Sequence, residues 1–272
     1  MNESVWHSER TTLLAGVTTE SGRAGAPMVV IPNAYVTPHV GLFRMHVELA
    51  RGLALQGVDS LRFDVSGIGD SADPSGSEPY ARRTRDELAG VVDEIAERWP
   101  GRTVVLLGHC DGAHHALHIA RQDRRVRGFV CIDGFLEPGL RQALRTRWRH
   151  LSGRLERMRS GELRRSDEDG SARSLRDVID GEAAAYGANR TLAELDTGLA
   201  ALRERGAPSL WVASSEFARF GRLRRLRGRL HLGQGLEQLA RIPSSSHVYA
   251  EVGARAALVE RVCGWFADRR EW

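Results

Sequence analysis

The sequence predicts an α/β fold, in which a mostly parallel central sheet carries helices on both faces and is interrupted by a helical lid insertion. Three observations carry this expectation. Short, nearly continuous apolar runs recur along the chain, as strands buried on both faces require. Amphipathic stretches of helical period separate them, so strand and helix alternate. A long polar interval of helical periodicity, at about 136–205, then breaks the alternation between two apolar runs and is unusually rich in arginine, with Arg141, Arg145, Arg147 and Arg149 within nine residues.

The first unit is MVVIPN at 28–33, followed by GLFRMHVELARGLALQG, in which Leu42, Met45, Leu49 and Leu53 share a helical face and Gly57 is placed as a C-cap. VDSLRFDV at 58–65 is the next strand. After the loop SGIGDSADPSGSEP, a helix striped by Leu88, Val91, Val92, Ile95 and Trp99 is stopped by Pro100 and Gly101. TVVLLG leads through Gly108-His109-Cys110-Asp111-Gly112 into a helix, and VRGFVCIDG is a further strand. PSLWVASSE (208–216) and the weaker LEQLARIP (236–243) supply two more, and a C-terminal helix carries Leu258, Val262 and Phe266. The expected core is therefore 1–135 with 206–272, and the expected lid is 136–205, with SDEDGSARS (166–174) as its flexible tip.

A chain of 272 residues is long enough to bury one large core. Its 42% hydrophobic content contains no run of eighteen apolar residues, and MNESVWHSERTT lacks the charged-then-apolar signal pattern, so the expected location is cytoplasmic, with no membrane association. Cys110, Cys131 and Cys263 are too scattered for a disulfide framework, and none has a CxxC partner, so no metal is expected. No cofactor motif is found. All 39 Lys+Arg residues are arginine, for a net charge of +4. That charge permits an acidic partner, and 6% aromatic content offers little for stacking on nucleic acid, so none is expected.

The chemistry is concentrated at the cysteine turn. A nucleophile between two glycines, at the junction of a buried strand and a helix, sits in a strained turn that lifts its side chain out of the sheet. The helix beginning at Asp111 adds its N-terminal partial charge, which favours a thiolate. A small buried hydrophobe is the ordinary role of a free cysteine, and it is the expected role of Cys131 and Cys263. The flanking glycines set Cys110 apart.

A nucleophile so placed needs a base from a late loop and an acid from a strand end, in the order nucleophile, acid, histidine. His247 in IPSSSHVY follows the last strand, and Glu216 ends PSLWVASS, so Cys110, Glu216 and His247 are the expected triad. Asp133, after VRGFVCI, is the rival acid; Glu216 is preferred because it lies on the strand that follows the lid. His109 is expected to turn back toward the sheet, and His114, His115 and His118 to lie on the helix behind the nucleophile. His39 could line the pocket, although a surface loop is its expected place.

At this point the chain resembles the α/β-hydrolase superfamily, and within it the hydrolases related to serine aminopeptidases, especially the type associated with exosortase systems. The resemblance runs from about Leu13 to Phe266. It rests on HVGLFRMHVELARGLALQGVDSLRFDVSGIGDS (39–71), GHCDGA (108–113), SSEF (214–217) and SSHVY (245–249). It implies the α/β-hydrolase fold, a cysteine or serine at position 110, and a loop-bracing role for Asp64 and Asp70. Similar proteins have an aspartate where this chain has Glu216. The oxyanion hole is expected from the backbone N–H of Asp111 and a second N–H after MVVIPN, at Ala34 or, as second choice, Tyr35. Capping of its helix is the expected role of the Asp111 side chain.

The expected function is acyl transfer through a Cys-His-Glu triad on an acyl or aminoacyl thioester, as an acyltransferase or thioesterase. A thiol nucleophile gives an acyl-enzyme about as activated as a pantetheine thioester, so exchange with another thiol is nearly isoenergetic. The substrate is a small-molecule acyl group, with an acyl carrier protein or coenzyme A as candidate carrier. The alternatives are a small-molecule ester or lactone hydrolase and a binding protein that kept the fold without the chemistry.

Overall fold

The computed structural model describes residues 1–8, 10, 14–74, 76–134, 192–218, 222–232, 234–269 and 271–272. Eight strands form one sheet in the order β1-β2-β4-β3-β5-β6-β7-β8. They are β1 (Asn2–His7), β2 (Ala15–Glu20), β3 (Met28–Pro32), β4 (Asp59–Phe63), β5 (Val104–His109), β6 (Val126–Ile132), β7 (Ser209–Ser214) and β8 (Glu237–Ile242). From β3 to β8 every pairing is parallel, while β1 and β2 form an antiparallel edge hairpin against β4.

The hairpin departs from the expected element list, which begins at β3. β1 buries only Trp6 and exposes its other five residues, so it has no apolar run to mark it. β2 buries Ala15, Gly16, Thr18 and Thr19, so half of its buried positions are polar.

The helices α1 (Met45–Leu55), α2 (Tyr80–Arg98) and α3 (Asp111–Gln122) are the crossovers that parallel pairing requires, and α7 (Val252–Ala267) follows the last strand. Met45, Leu49 and Leu53 of α1 join Leu258, Val262 and Phe266 of α7 over Val29, Ile31, Val105, Leu107, Val130 and Ile132, forming the core of one face. α3 packs on β5 and β6 on the other face, flanked by α2 and by α4 (Leu192–Glu204). The short helices α5 (Ser215–Ala218) and α6 (Arg222–Arg227) lie between β7 and β8.

α4 falls inside the expected lid, but it buries Leu195, Leu199 and Leu202 and packs on α3 as part of the core unit. Its apolar stripe, not the arginine-rich composition upstream, decides where it goes. The rest of the expected lid, including SDEDGSARS, lies outside the described residues. Among the described residues no helix is long and apolar enough to cross a membrane.

The strand order locates the site. From β3 the chain first crosses to β4 on one side and then to β5 on the other, so β3 and β5 are neighbours whose connections leave in opposite directions. A crevice opens above the carboxyl ends of such a pair. β5 ends at His109, immediately before the cysteine turn.

Candidate active site

All six residues of β5 are buried, and the chain then reverses sharply at Cys110, whose φ of 51° and ψ of −111° lie outside the regions that non-glycine residues favour. α3 starts at the next residue. This tight junction requires glycine at 108, where a Cβ would lie 2.3 Å from the Cα of Ala113, and leaves little room at Gly112, where one would lie 3.1 Å from the carbonyl oxygen of Asn33. The strained conformation is held by neighbouring structure, including the Cys110 N–H, which donates to the Ile132 carbonyl at 2.9 Å. Cys110 is half-buried, whereas Cys131 and Cys263 are buried as expected. Burial pushes both of those thiols up, Cys263 to about 11.

His247 sits in the turn after β8. Its Nδ1 lies 3.1 Å from Oδ2 of Asp133, and the Cys110 thiol is a second neighbour that acts on its ring. Burial works against the charged ring, but the hydrogen bond to Asp133, the Cys110 thiol and the charges of both outweigh it and push the imidazole up to about 10. Asp133 is fully buried one residue past β6. Its N–H donates to the Val212 carbonyl at 2.9 Å, and its Oδ1 accepts the N–H of Ser214 at 2.7 Å, so the carboxylate bridges β7 and the imidazole.

Glu216 lies beside the same histidine but meets a different part of it. Exposed on α5, it accepts the backbone N–H of His247 through Oε2 at 2.8 Å. Thus the structure places Cys110 beside His247, while the carboxylate facing the ring is that of Asp133, the rival, and not that of Glu216, which meets the backbone. The reason is local geometry. β7 ends at Ser214 and turns at once into α5, which carries Glu216 to the surface, while the left-handed backbone of Asp133, with φ of 49°, turns its side chain across the end of β7.

Ala34 lies two residues past β3, and Asp111 is the first residue of α3. The two backbone segments run close together beside the nucleophile, since a Cβ at Gly112 would come within 3.1 Å of the Asn33 carbonyl oxygen. The Ala34 loop is braced from several sides. Thr37 N–H donates to the Ala34 carbonyl at 2.9 Å, Asn33 Oδ1 accepts the Val65 N–H at 3.1 Å, and the Asn33 amide donates to the carbonyl of Tyr35. The buried Asp111 carboxylate approaches Nε2 of His115 at 3.4 Å, so it faces along the helix to the next turn.

Two histidines have roles the sequence reading did not give them. His109 reaches the base itself: its Nε2 donates to the His247 carbonyl at 3.0 Å, and the two rings lie 5.2 Å apart at an interplanar angle of 34°. Burial, then the neighbouring His247 and His46, pushes it down to about 3, so it is neutral. His39 is buried, not on a surface loop. Its N–H and Nδ1 meet the two oxygens of Asp64 at 2.5 and 2.7 Å, and Oδ2 of Asp64 also accepts the Asp70 N–H at 3.4 Å. That is the bracing role expected of Asp64; Asp70 joins through its backbone.

The model of the family described as serine aminopeptidase, S33, matches residues 39–177. No curated protein is significantly similar in sequence. Among solved structures, Est1E from Butyrivibrio proteoclasticus with ferulic acid bound superposes with a TM-score of 0.65 at 17% identity, covering 94% of this chain and 95% of that one. A dienelactone hydrolase from Anabaena variabilis ATCC 29413 gives 0.60 at 14% identity with 97% of each chain covered, and the haloalkane dehalogenase DbeA from Bradyrhizobium elkani USDA94 gives 0.64 at 17% with 98% of each. These likenesses share the α/β-hydrolase fold, and with a family match over half its length the chain belongs to the serine aminopeptidase (S33) family and is an enzyme of the hydrolase class.

Proposed function

We infer that the protein is an acyl-transfer enzyme whose nucleophile is Cys110, whose general base and acid is His247, and whose orienting carboxylate is Asp133. The observation that carries this reading is the chain of contacts from the strained Cys110 turn through the His247 ring to the buried Asp133 carboxylate. The raised imidazole favours the imidazolium, which stands ready to give its proton to a leaving group.

The Cys110 sulfur attacks the acyl carbonyl, forming the C–S bond of a tetrahedral intermediate. The backbone N–H groups of Asp111 and Ala34 receive its oxyanion. The carbonyl re-forms, the bond to the leaving group breaks, and the His247 imidazolium gives its proton to that group. The acyl group is now a thioester on Cys110, and the neutral imidazole takes a proton from the incoming thiol, amine or water. Attack by that acceptor regenerates thiolate and imidazolium. The favoured donor is an acyl or aminoacyl thioester on coenzyme A or an acyl carrier protein, because exchange between thioesters is nearly isoenergetic.

Intact-protein mass spectrometry after incubation with acyl-coenzyme A donors tests this. An adduct of acyl mass on the wild type, missing from Cys110→Ala and discharged by added thiol acceptors, is the expected result. Free acid as sole product, at a rate indifferent to every acceptor, would replace transfer with ester or thioester hydrolysis. Labelling that persists in Cys110→Ala would remove the nucleophile assignment altogether.

A further inference from the structure

The peptide unit of His247 is bonded at both of its polar groups by side chains from other elements. Glu216 on α5 accepts its N–H at 2.8 Å, and His109 at the end of β5 donates to its carbonyl at 3.0 Å. The neighbouring residues of the turn are tied as well. The Ser245 carbonyl accepts the Glu216 N–H at 3.2 Å, Ser245 Oγ accepts the Ser215 N–H at 2.9 Å, and Ser246 donates through N–H and Oγ to Glu251 at 3.1 and 3.0 Å. A turn outside regular structure has no ladder of its own to fix it, and its backbone must be held by such bonds.

We propose that Glu216 and His109 are positioning residues that clamp the backbone of His247, so that one imidazole can serve the Cys110 thiol and the Asp133 carboxylate in both half-reactions. Glu216 stands at the end of β7 beside the base yet leaves its ring to Asp133. His109 adds a second constraint, because its ring lies tilted against the His247 ring and limits rotation of the imidazole away from the sulfur. Reactivity falls steeply when a base shifts by a fraction of an ångström, so two bonds on one peptide unit are enough to matter. Neither residue exchanges a proton with substrate.

The inference rests on His247 being the base, so the test joins a kinetic readout to one independent of turnover. Burst acylation by p-nitrophenyl acetate is measured beside amide hydrogen exchange of the segment 244–249. Glu216→Gln keeps a carbonyl oxygen that accepts the N–H and should stay within about threefold of the wild-type burst rate with unchanged exchange protection. Glu216→Ala should lose about tenfold in rate at constant KM, and its 244–249 amides should exchange about tenfold faster with the thermal midpoint almost unmoved. His109→Phe keeps a ring and loses the donor, and His109→Gln restores a donor. The first should lose about tenfold in rate and the second should recover part of it.

If Glu216→Gln falls as far as Glu216→Ala, the carboxylate charge and not the hydrogen bond is at work, and the clamp is overturned. The clamp also fails if both alanine and phenylalanine variants match the wild type in rate and exchange. Absence of any burst in the wild type, with faster exchange in Glu216→Ala, would overturn the nucleophilic reading and leave the backbone clamp standing.

Discussion

Asp133 and Glu216 differ in what they touch, and the difference sets their expected phenotypes. An acid that accepts from Nδ1 fixes the tautomer and steadies the imidazolium, so Asp133→Asn, which presents the ring with an amide, should lower the acylation rate by about 10³- to 10⁴-fold. The same change also puts Ser214 N–H opposite an amide, and a circular dichroism spectrum and thermal melt report whether the fold is kept. A loss no larger than that of Glu216→Gln would return the orienting role to Glu216. The sequence made Cys110 and His247 legible because each is tied to a local signal: glycines around one, the place after the last strand for the other. Choosing between Asp133 and Glu216 depended on one φ angle and on how soon the chain turns after β7, and neither is written in residue type.

At the level of elements, the junction of β5 and α3 gives two glycines with opposite expected behaviour. At Gly108 an added methyl meets backbone, 2.3 Å from the Cα of Ala113, and nothing there is the free end of a side chain. Gly108→Ala should therefore destabilise by about 1–3 kcal/mol or more, read as a lower urea midpoint. At Gly112 the added methyl lies 3.1 Å from the Asn33 carbonyl and sits within α3, where alanine gains about 1 kcal/mol in helix propensity. Gly112→Ala should be nearly neutral in stability while displacing the Ala34 loop, with about a tenfold loss in burst rate. Unchanged rates in Gly112→Ala would show that Ala34 does not serve the oxyanion. The elements that escaped the sequence reading share one property. The edge strand β1 is mostly exposed, its neighbour β2 carries buried threonines, and α4 has an apolar stripe that its arginine-rich surroundings obscured.

For the whole molecule, His46 and His109 act on stability with the opposite sign to His247. Burial pushes His46 down to about 4 and His109 to about 3, so between pH 6.5 and those values the unfolded chain binds protons that the native protein does not. Their contribution is present above pH 6.5 and is lost as the pH falls, at up to about 1.4 kcal/mol per pH unit for each group. His247 runs the other way. Its folded value is raised to about 10, so its contribution is whole below pH 6.5 and is lost as the pH climbs toward 10. These three contributions together favour a stability maximum near pH 6.5, falling on both sides. Urea midpoints at pH 4.5, 6.5 and 9.5 measure both limbs. His247→Ala should flatten the alkaline limb and leave most of the acid one, because burial, and only secondarily the charge of His247, lowers the groups on that limb. An alkaline limb equally steep in His247→Ala would mean that the imidazole gains no proton affinity on folding, and the contacts to Cys110 and Asp133 would then not be holding it charged.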